Sequence, residues 1–487
     1  MQLVMDLKMN ESQDMNKTAR VKEAVEKKKA SAFQPTWEQV WITGYPTPSG
    51  KHKNGILQTK LTETDKARLL EVKSAVESNE IGIGVVEMKK FTKTHALNLY
   101  KQLLEVRREG VIKEMVKNKP ENYVLVTEAD QLTEVVSRMA SEEELGLDTE
   151  TTGVEHQDRI VGISMTLPKQ DVHYYIPFGH TTGEKQLPRE MVLSALKPQL
   201  ERKDLKCILH NAKFDVHMFI KEGITIGNVF MDTMVCMGIL NENEMSFALK
   251  NLATKYGKYF GFEDKSMTYE ELFGRGGFEG TPLDIATVYA CKDTHLCYKF
   301  SVWQREMMQK QPKLHNIYFN IEQPITPVCI HMEQTGFLID MDFAHSYEKE
   351  LEEEIKQIEG KLFDYFGDIN LNSNAQLQAK LYDELKLPDV SGKRSVDKSA
   401  LKLLQKEHEG VGLLLEYRAL TKLLSTYIQP LPQKVWEDGR LHGSFNQTAT
   451  VTGRFASNNP NLQNLPAKAR HMIVAPEGKL IMGGDFS

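Results

Sequence analysis

The spacing of hydrophobic and polar residues changes near residue 121 and from there predicts alternating strands and helices. YVLVTEADQLTEVVSRMA, which begins at Tyr123, predicts a short strand, a turn and an amphipathic helix. RIVGISMTL and VHYYIPFG predict two successive strands. LKCILHNAKFDVHMFI predicts a strand that ends at Leu209 and a helix that begins near Ala212. Together these elements predict an α/β domain over residues 121–312.

The apolar residues follow a helical period from about Lys313 onward. SYEKELEEEIKQIEGKLFDYFG and GLLLEYRALTKLLSTYIQPL predict two long helices within residues 313–436. Residues 439–466 are too long and too poor in hydrophobic periodicity to form a simple strand or helix. KLIMGGDFS, at the end of the sequence, predicts an apolar strand that leads to Asp485. The pattern therefore separates a helical region, 313–436, from a final region, 437–487.

Residues 1–120 are the least informative part of the pattern. Lysine-rich helical segments are predicted around Lys17–Lys29 and Ala96–Lys119. The run Lys27–Lys29 suits either a phosphate contact or a solvated helix face. The region is basic and partly helical, and the sequence assigns no activity to it.

The composition is that of an ordinary soluble globular protein. Of the 487 residues 40% are hydrophobic and 26% are charged, with a net charge of −6, so a nucleic-acid partner would need local basic patches. No apolar run is long enough to span a bilayer, and the start of the sequence lacks the pattern of a secretory signal. The five cysteines are odd in number and form no C-x-x-C pair, which favours reduced thiols. We expect a cytoplasmic protein with no membrane partner.

LGLDTETTG places two carboxylates at the end of a predicted strand. Asp148 and Glu150 are two residues apart, so in a strand both side chains project from the same face. Two like charges so close repel each other, and the arrangement is useful if hard cations such as Mg²⁺, or alternatively Mn²⁺, lie between them. The competing interpretation is an exposed acidic turn.

Two further acidic elements follow along the chain. Asp215 falls in the first turn of a predicted helix, and Asn211 lies before it at a cap-like position. Tyr289 and Asp293 are four residues apart and share a face of another predicted helix. Separate acidic elements of this kind suit phosphodiester hydrolysis with two divalent metal ions, in which Tyr289 would orient the attacking water.

Residues 121–312 resemble a 3′→5′ exonuclease domain of the DEDD superfamily, tyrosine subclass. The three motifs of that family match at Asp148–Glu150, at Asn211–Asp215 and at Tyr289–Asp293. The resemblance implies a ribonuclease H-like fold, a mixed sheet flanked by helices. It also implies that the four carboxylates bind two divalent metal ions, that Asn211 contacts a single-stranded DNA 3′ end, and that Val154 wedges against the terminal base.

Cations and hydroxyls within residues 313–436 suggest contacts with phosphate. A loop contains Lys393 and Arg394, and the helix after it presents Arg418 and Lys422. Ser425 and Thr426 follow on that helix. These groups suit phosphate contacts that do not read sequence, although a solvated helix surface explains the same pattern.

Residues 313–487 resemble the thumb and the first part of the α+β palm of family A DNA polymerases, of the DNA polymerase I type. The stretch TGRFASNNPNLQN carries the resemblance. Arg454, Asn461, Gln463 and Asn464 are implied to contact primer–template duplex DNA. Asp485 is implied to be a catalytic metal ligand of the palm.

The sequence departs from that family in ways that bear on activity. The fingers helix and the second palm aspartate of the family do not occur in it, so polymerisation is expected to need a C-terminal partner segment. We expect the N-terminal portion of a replication or repair polymerase with a proofreading exonuclease, in bacterial or virus-infected cytoplasm. The alternatives are a free-standing exonuclease that uses the thumb as a DNA clamp, and a non-catalytic DNA-binding subunit.

Overall fold

The computed structural model describes residues 41, 55–56, 61–82, 93–262, 272–273, 276–389 and 392–484. The chain divides into two compact units. One comprises Met1–Pro120 with Met267–Gly276, and the other comprises Glu121–Ser266 with Gly277–Ser487. The predicted boundaries at residues 312 and 436 fall inside the second unit and stay predictions.

Among the described residues of the first unit, two long helices are formed, α1 (Glu63–Glu77) and α2 (Lys93–Lys117). The Thr62 hydroxyl caps α1 by accepting a hydrogen bond from the backbone N–H of Asp65 at 3.1 Å. The two helices bury a small apolar cluster that includes Leu69 and Leu103. Helix α2 agrees with the predicted helix over Ala96–Lys119, whereas the one predicted over Lys17–Lys29 lies outside the described residues.

The second unit begins with a six-stranded mixed sheet. The strands are β1 (Tyr123–Leu125), β2 (Glu144–Thr151), β3 (Ile160–Leu167), β4 (Val172–Pro177), β5 (Lys206–Leu209) and β6 (Val229–Asp232). Their order is β1-β4-β3-β2-β5-β6. Strands β2, β3 and β4 pair antiparallel, while β5 is parallel to both β2 and β6. Because β2 and β5 are parallel, their carboxyl ends lie at the same edge of the sheet.

In the described part of this region, six α-helices follow the strands along the chain. They are α3 (Ala129–Met139), α4 (Arg189–Leu200), α5 (Ala212–Lys221), α6 (Thr233–Leu240), α7 (Leu249–Tyr256) and α8 (Leu283–Gln309). Every residue of β3 and β4 is buried, as expected for strands with both faces covered. The predicted α/β architecture of this region is confirmed, including the end of β5 at Leu209 and the start of α5 at Ala212.

The rest of the second unit is mainly helical, as predicted. Its helices are α9 (Pro312–Ile317), α10 (Gln323–Thr335), α11 (Met341–Phe366), α12 (Asn374–Gln378), α13 (Lys398–Leu404), α14 (Glu409–Leu423) and α15 (Ala467–Arg470). Wider, π-helical turns occupy Tyr318–Glu322, Ala379–Glu384 and Leu424–Ile428. Short strands form two pairs, β7 (Phe337–Leu338) with β8 (Arg440–Leu441) and β9 (Ser444–Asn446) with β10 (Ala456–Asn458). Helices α11 and α14 enclose a core of buried leucines.

The apolar strand predicted before Asp485 is not formed. Residues 479–484 pair with no strand in the described part of the chain, and Leu480 and Met482 are 90% and 91% exposed. An apolar strand is stable when a neighbouring strand satisfies its backbone groups and a core covers its side chains, and no described residue does either here. Asp485 itself lies outside the described residues.

Two expectations from composition can be compared with the structure. All five cysteines are buried free thiols. Among the residues that the structure describes, the helices are too short or too polar to cross a membrane.

Candidate active site

Strand β2 carries the first two carboxylates of the site. Asp148 and Glu150 lie opposite Ser164 and Gly162 of β3 and project from the same face of the sheet. Leu147, which directly precedes Asp148, points to the other face of the sheet and is fully buried. A bulge after Glu150 disrupts the pairing with β3, so regular pairing ends directly after the two acidic residues.

Helix α5 brings Asp215 against β2. Asp215 lies in the first turn of the helix and is 2% exposed. Its Oδ1 accepts hydrogen bonds from the backbone N–H of Thr149 at 3.0 Å and from the Thr149 hydroxyl at 2.6 Å. Since Thr149 lies between Asp148 and Glu150, these two bonds fix Asp215 beside both of them.

The N-terminus of α5 is capped by a residue that the sequence did not single out for this role. Asn211 occupies the predicted cap position, but it is exposed, has a φ of 66° and makes no side-chain cap. The carboxylate of Asp232 instead accepts from the N–H groups of Asn211 at 3.0 Å and Ala212 at 2.8 Å. Asp232 also caps α6, so one buried side chain fixes the start of both helices. An aspartate between a strand and a helix was the available signal.

Helix α8 supplies Tyr289 and Asp293, and α7 adds a lysine that sequence reasoning missed. The ammonium of Lys250 lies 3.6 Å from Asp293 Oδ1 and 3.3 Å from the centroid of the Tyr289 ring. Lys250 is 15% exposed and Asp293 is 18% exposed. Nothing in the spacing of Lys250 distinguishes it from other helical lysines.

Three of the four carboxylates of the site, Asp148, Glu150 and Asp215, have raised pKa values. Burial, and then the charges of Asp215, Glu150 and Asp293, raise the pKa of Asp148 well above its usual range. Burial and then Asp293 raise the pKa of Glu150, while the charge of Lys250 opposes the shift on both residues. Burial raises the pKa of Asp215 to about 7. The structure therefore brings together the acidic residues that the sequence placed on three separate elements.

The arrangement fits bound divalent cations. Oxygen atoms from four carboxylates are ligands that Mg²⁺ and Mn²⁺ prefer. Glu150 Oε1 is buried, and no group in the described parts of the chain donates a hydrogen bond to it. A buried carboxylate oxygen without a donor is costly unless a cation compensates it. The ammonium of Lys250 supplies part of that positive charge.

The loop after β2 displays Val154. This residue is 79% exposed, so it does not belong to the core. The loop is held by Asp158, whose carboxylate accepts hydrogen bonds from the Thr152 hydroxyl and from the Glu155 N–H, both at 2.7 Å. The role of Val154 against a terminal base stays a prediction.

The cations predicted to contact phosphate in the thumb region differ in their surroundings. Lys393, Lys422, Ser425 and Thr426 are exposed. Arg394 forms an ion pair with Asp383 at 2.5 Å. Arg418 is partly buried and donates to the carbonyl of Val396 at 2.5 Å. Lys393, Lys422 and the two hydroxyl residues are therefore accessible, while the two arginines already bind groups of the protein.

The predicted duplex-contacting residues lie on the loops around β10 and α15. Arg454, Gln463 and Asn464 are exposed. Asn461 is exposed as well, and its Oδ1 accepts from the N–H groups of Gln463 at 3.1 Å and Asn464 at 3.2 Å. This turn holds the three amide residues in one short segment.

A buried ionic network joins α5 to the segment that contains β9. Glu333, which is 7% exposed, contacts the ammonium of Lys213 and His217 Nε2, the latter at 2.7 Å. It also accepts from the N–H of Phe445 at 2.7 Å, and Lys213 donates to the Phe445 carbonyl. Burial alone would raise the pKa of Glu333, but His217 and Lys213 hold it below its usual range. The helix that carries Asp215 is thus tied to the predicted duplex-binding passage.

Two family models match the chain. Residues 123–305 match the model described as 3'-5' exonuclease. Residues 341–487 match the model described as DNA polymerase family A.

Several proteins with similar sequences are named DNA polymerase I. The DNA polymerase I of Chloroflexus aurantiacus is 31% identical over 389 residues, which cover 76% of this chain and 40% of that protein. The DNA polymerase I of Pseudomonas aeruginosa is 30% identical over 376 residues, covering 72% of this chain and 40% of that protein. The thermostable DNA polymerase I of Thermus filiformis is 44% identical over 188 residues, covering 36% and 23%. The chain spans about two fifths of the length of the first two relatives.

A solved structure shares the fold. It is the POL domain of Pol1 from M. smegmatis in complex with DNA primer-template and dNTP, with a TM-score of 0.60. The match is 24% identical and covers 73% of this chain and 59% of that one. At this identity the likeness concerns the fold alone.

Proposed function

We propose that this chain removes 3′-terminal nucleotides from DNA as a proofreading exonuclease. The premise is that the chain belongs to DNA polymerase family A and carries a 3′-5′ exonuclease domain ahead of its polymerase residues. The resemblance of the motifs to a 3′→5′ exonuclease and to family A DNA polymerases is confirmed. The predicted fold class, an α/β domain followed by a mainly helical region, is confirmed as well. The products of the proposed reaction are nucleoside monophosphates.

One observation carries the proposal. Four carboxylates are brought together by three separate elements, β2, α5 and α8. They repel each other when no cation lies among them. Such a cluster costs folding free energy, and a purely structural or DNA-binding role gives no compensation for that cost. Divalent cations would compensate it and supply the chemistry.

Asp148, Glu150, Asp215 and Asp293 are the residues that would hold two divalent ions, Mg²⁺ or Mn²⁺. Ions bound there would activate water and offset the charge that develops on phosphorus and on the leaving 3′ oxygen. We assign to Tyr289 the orientation of the attacking water. Lys250 restrains the Tyr289 ring by its cation–π contact, since its ammonium lies 3.3 Å from the ring centroid.

The remaining roles are proposals about DNA. Asn211 and Val154 are proposed to hold the single-stranded 3′ end. Lys393, Arg394, Arg418 and Lys422, with Ser425 and Thr426, are proposed to contact the phosphates of the primer–template duplex. Arg454, Asn461, Gln463 and Asn464 are proposed to contact the same duplex near the palm. The exposure of Lys422 and of the Asn461 turn supports these assignments.

Nucleotide addition is proposed to need family A residues besides those of this sequence, since Asp485 by itself cannot hold two metal ions. Those residues would complete the palm and supply the fingers. The reduced state of the buried thiols supports a cytoplasmic location, which also remains a proposal.

The exonuclease proposal is tested with a single strand labelled at its 5′ end and incubated with Mg²⁺. The chain should produce a ladder of products shortened from the 3′ end. Asp148→Ala combined with Glu150→Ala should abolish the ladder and leave DNA binding intact or slightly stronger. Glu134→Gln removes an exposed carboxylate of α3 and is the matched control, which should digest normally.

Comparable digestion by the double variant would refute the metal assignment. Absence of digestion by the unmodified chain, under conditions where it binds DNA, would favour a non-catalytic DNA-binding subunit instead.

A further inference from the structure

A second group of side chains of the types that bind metals meets on the exonuclease domain. Asp171 lies in the turn between β3 and β4, His173 lies on β4, and His295 lies on α8. One ligand atom from each of the three lies within 4.8 Å of the others. His173 Nε2 is 3.7 Å from Asp171 Oδ1, and the two imidazole rings stack with their centroids 3.9 Å apart.

This group is distinct from the acidic site. His295 follows Asp293 by two residues, and two positions on a helix are about 200° apart around its axis. The two side chains therefore leave α8 on nearly opposite sides. None of the four acidic ligands proposed above belongs to the second group.

An unsatisfied nitrogen points into the group. His173 is 1% exposed, and its Nε2 has no hydrogen-bond partner among the residues that the structure describes. Buried side-chain nitrogens are nearly always satisfied, so an exception indicates a strained group or a missing ligand. Burial, and then the neighbouring His295 and Lys299, lower the pKa of His173 to about 3, which keeps the ring neutral and able to ligate.

The other nitrogen of each ring is already fixed. His173 Nδ1 lies 2.8 Å from the hydroxyl of Thr166, and His295 Nδ1 lies 3.0 Å from the hydroxyl of Tyr123. In the tautomer with Nδ1–H donating to these oxygens, both Nε2 atoms carry the lone pair. Histidines that bind metals are commonly oriented in this way through the second nitrogen.

The donor set selects the kind of metal. Two imidazoles and one carboxylate suit Zn²⁺ and other late first-row divalent ions, whereas Mg²⁺ prefers oxygen ligands. Bond lengths of about 2.0–2.2 Å place tetrahedral ligand atoms about 3.4 Å apart, whereas the three atoms lie within 4.8 Å of one another, so binding must draw them together by up to about 1.4 Å. Asp171 is 82% exposed at a turn and can supply most of that movement.

One nearby cation opposes binding. Lys299 lies on α8 one turn beyond His295, and its ammonium is 5.7 Å from the centroid of the Phe262 ring. Its repulsion lowers the affinity for a cation, while the carboxylate of Asp171 acts in the opposite sense.

We propose that Asp171, His173 and His295 form a binding site for Zn²⁺ or a similar late first-row divalent ion, with solvent water completing the coordination. The ion fastens α8 to β4, and α8 is the helix that carries Tyr289 and Asp293. The site stabilises the exonuclease domain and takes no part in the phosphodiester chemistry.

The test uses Co²⁺ as the probe and the full chain carrying Asp148→Ala and Glu150→Ala, which disables the acidic site. Titration should produce the strong visible absorption of four-coordinate Co²⁺. Zn²⁺ should displace Co²⁺ and raise the thermal unfolding temperature. Loss of a group that hydrogen-bonds to a metal ligand lowers metal affinity about 10–100-fold, so loss of a ligand itself should lower the affinity by at least that factor.

The informative variants are Asp171→Asn and His295→Gln, added singly to that background. Asp171 has a φ of 49°, which asparagine tolerates, and its side chain is exposed. Asp171→Asn should therefore fold normally. Each variant should lose the visible band and the Zn²⁺-dependent stabilisation. His331→Gln, at an exposed histidine, is the matched control and should keep both.

Two results would overturn the proposal. One is the absence of a visible band and of Zn²⁺-dependent stabilisation in the background protein. The other is binding of equal strength in Asp171→Asn, with its helical content unchanged by circular dichroism. Either result would leave the two histidines as an ordinary stacked contact.

Discussion

Asp215→Asn is the substitution that best isolates the electrostatic cost of the acidic site. Asp215 is 2% exposed, and its Oδ1 accepts both hydrogen bonds from Thr149. The Oδ1 of asparagine can accept the same two bonds, so the packing and the start of α5 are preserved. The substitution removes the buried charge and leaves the shape.

The size of the effect follows from the pKa of Asp215. Burial raises it from 3.8 to about 7, and each unit corresponds to about 1.4 kcal/mol, so the ionised form costs the metal-free protein about 4 kcal/mol. The unfolded chain releases this proton at a lower pH than the folded chain. Between these pKa values the folded state binds more protons, and stability falls as the pH rises. Above about pH 7 the cost is complete and constant.

Urea denaturation in EDTA, followed by circular dichroism, measures this cost. The stability advantage of Asp215→Asn over the unmodified chain should increase by about 3 kcal/mol between about pH 5 and pH 8. With Mg²⁺ present the unmodified chain should gain stability, and the variant, which lacks a ligand, should gain less. An advantage that does not change with pH, or a variant less stable than the unmodified chain in EDTA at about pH 8, would refute the argument.

Three further substitutions test the roles assigned to Lys250, Arg454 and Glu333. Lys250→Met should strengthen Mg²⁺ binding in calorimetry, because the ammonium 3.6 Å from Asp293 Oδ1 competes with the ion; weaker binding would contradict this. Arg454→Ala should weaken duplex binding about tenfold and spare digestion of short single strands, and equal loss of both would contradict its assignment to the duplex. Glu333→Ala removes the carboxylate that compensates the largely buried ammonium of Lys213 and should cost about 3–5 kcal/mol of stability, with faster hydrogen exchange in β9. Because folding lowers the pKa of Glu333, the stability that its carboxylate contributes is present above the unfolded pKa and disappears as the pH falls through the folded pKa. Unchanged hydrogen exchange in β9 of Glu333→Ala would show that the network does not hold β9 to α5.

Local sequence determined the elements and the identity of the acidic residues. Alternation in β2 is enough to place Asp148 and Glu150 on one face, and a helix period is enough to pair Tyr289 with Asp293. The end of β5 and the start of α5 were predictable for the same reason, since a change of hydrophobic period marks a boundary within a few residues.

Contacts between residues far apart in sequence could not be predicted in this way. Lys250 over Tyr289, Asp232 at the start of two helices, and the pairing of His173 with His295 depend on how the helices pack on the sheet. The strand predicted before Asp485 is not formed for the same reason, because an apolar run becomes a strand only when a neighbouring strand pairs with it.

The sequence by itself therefore determined which groups the acidic site contains and on which local element each one lies. Only the tertiary structure decided their burial, their mutual repulsion and the lysine that offsets it. The physical reason is that backbone periodicity acts over a few residues, whereas desolvation and Coulomb interactions depend on the distances that folding creates.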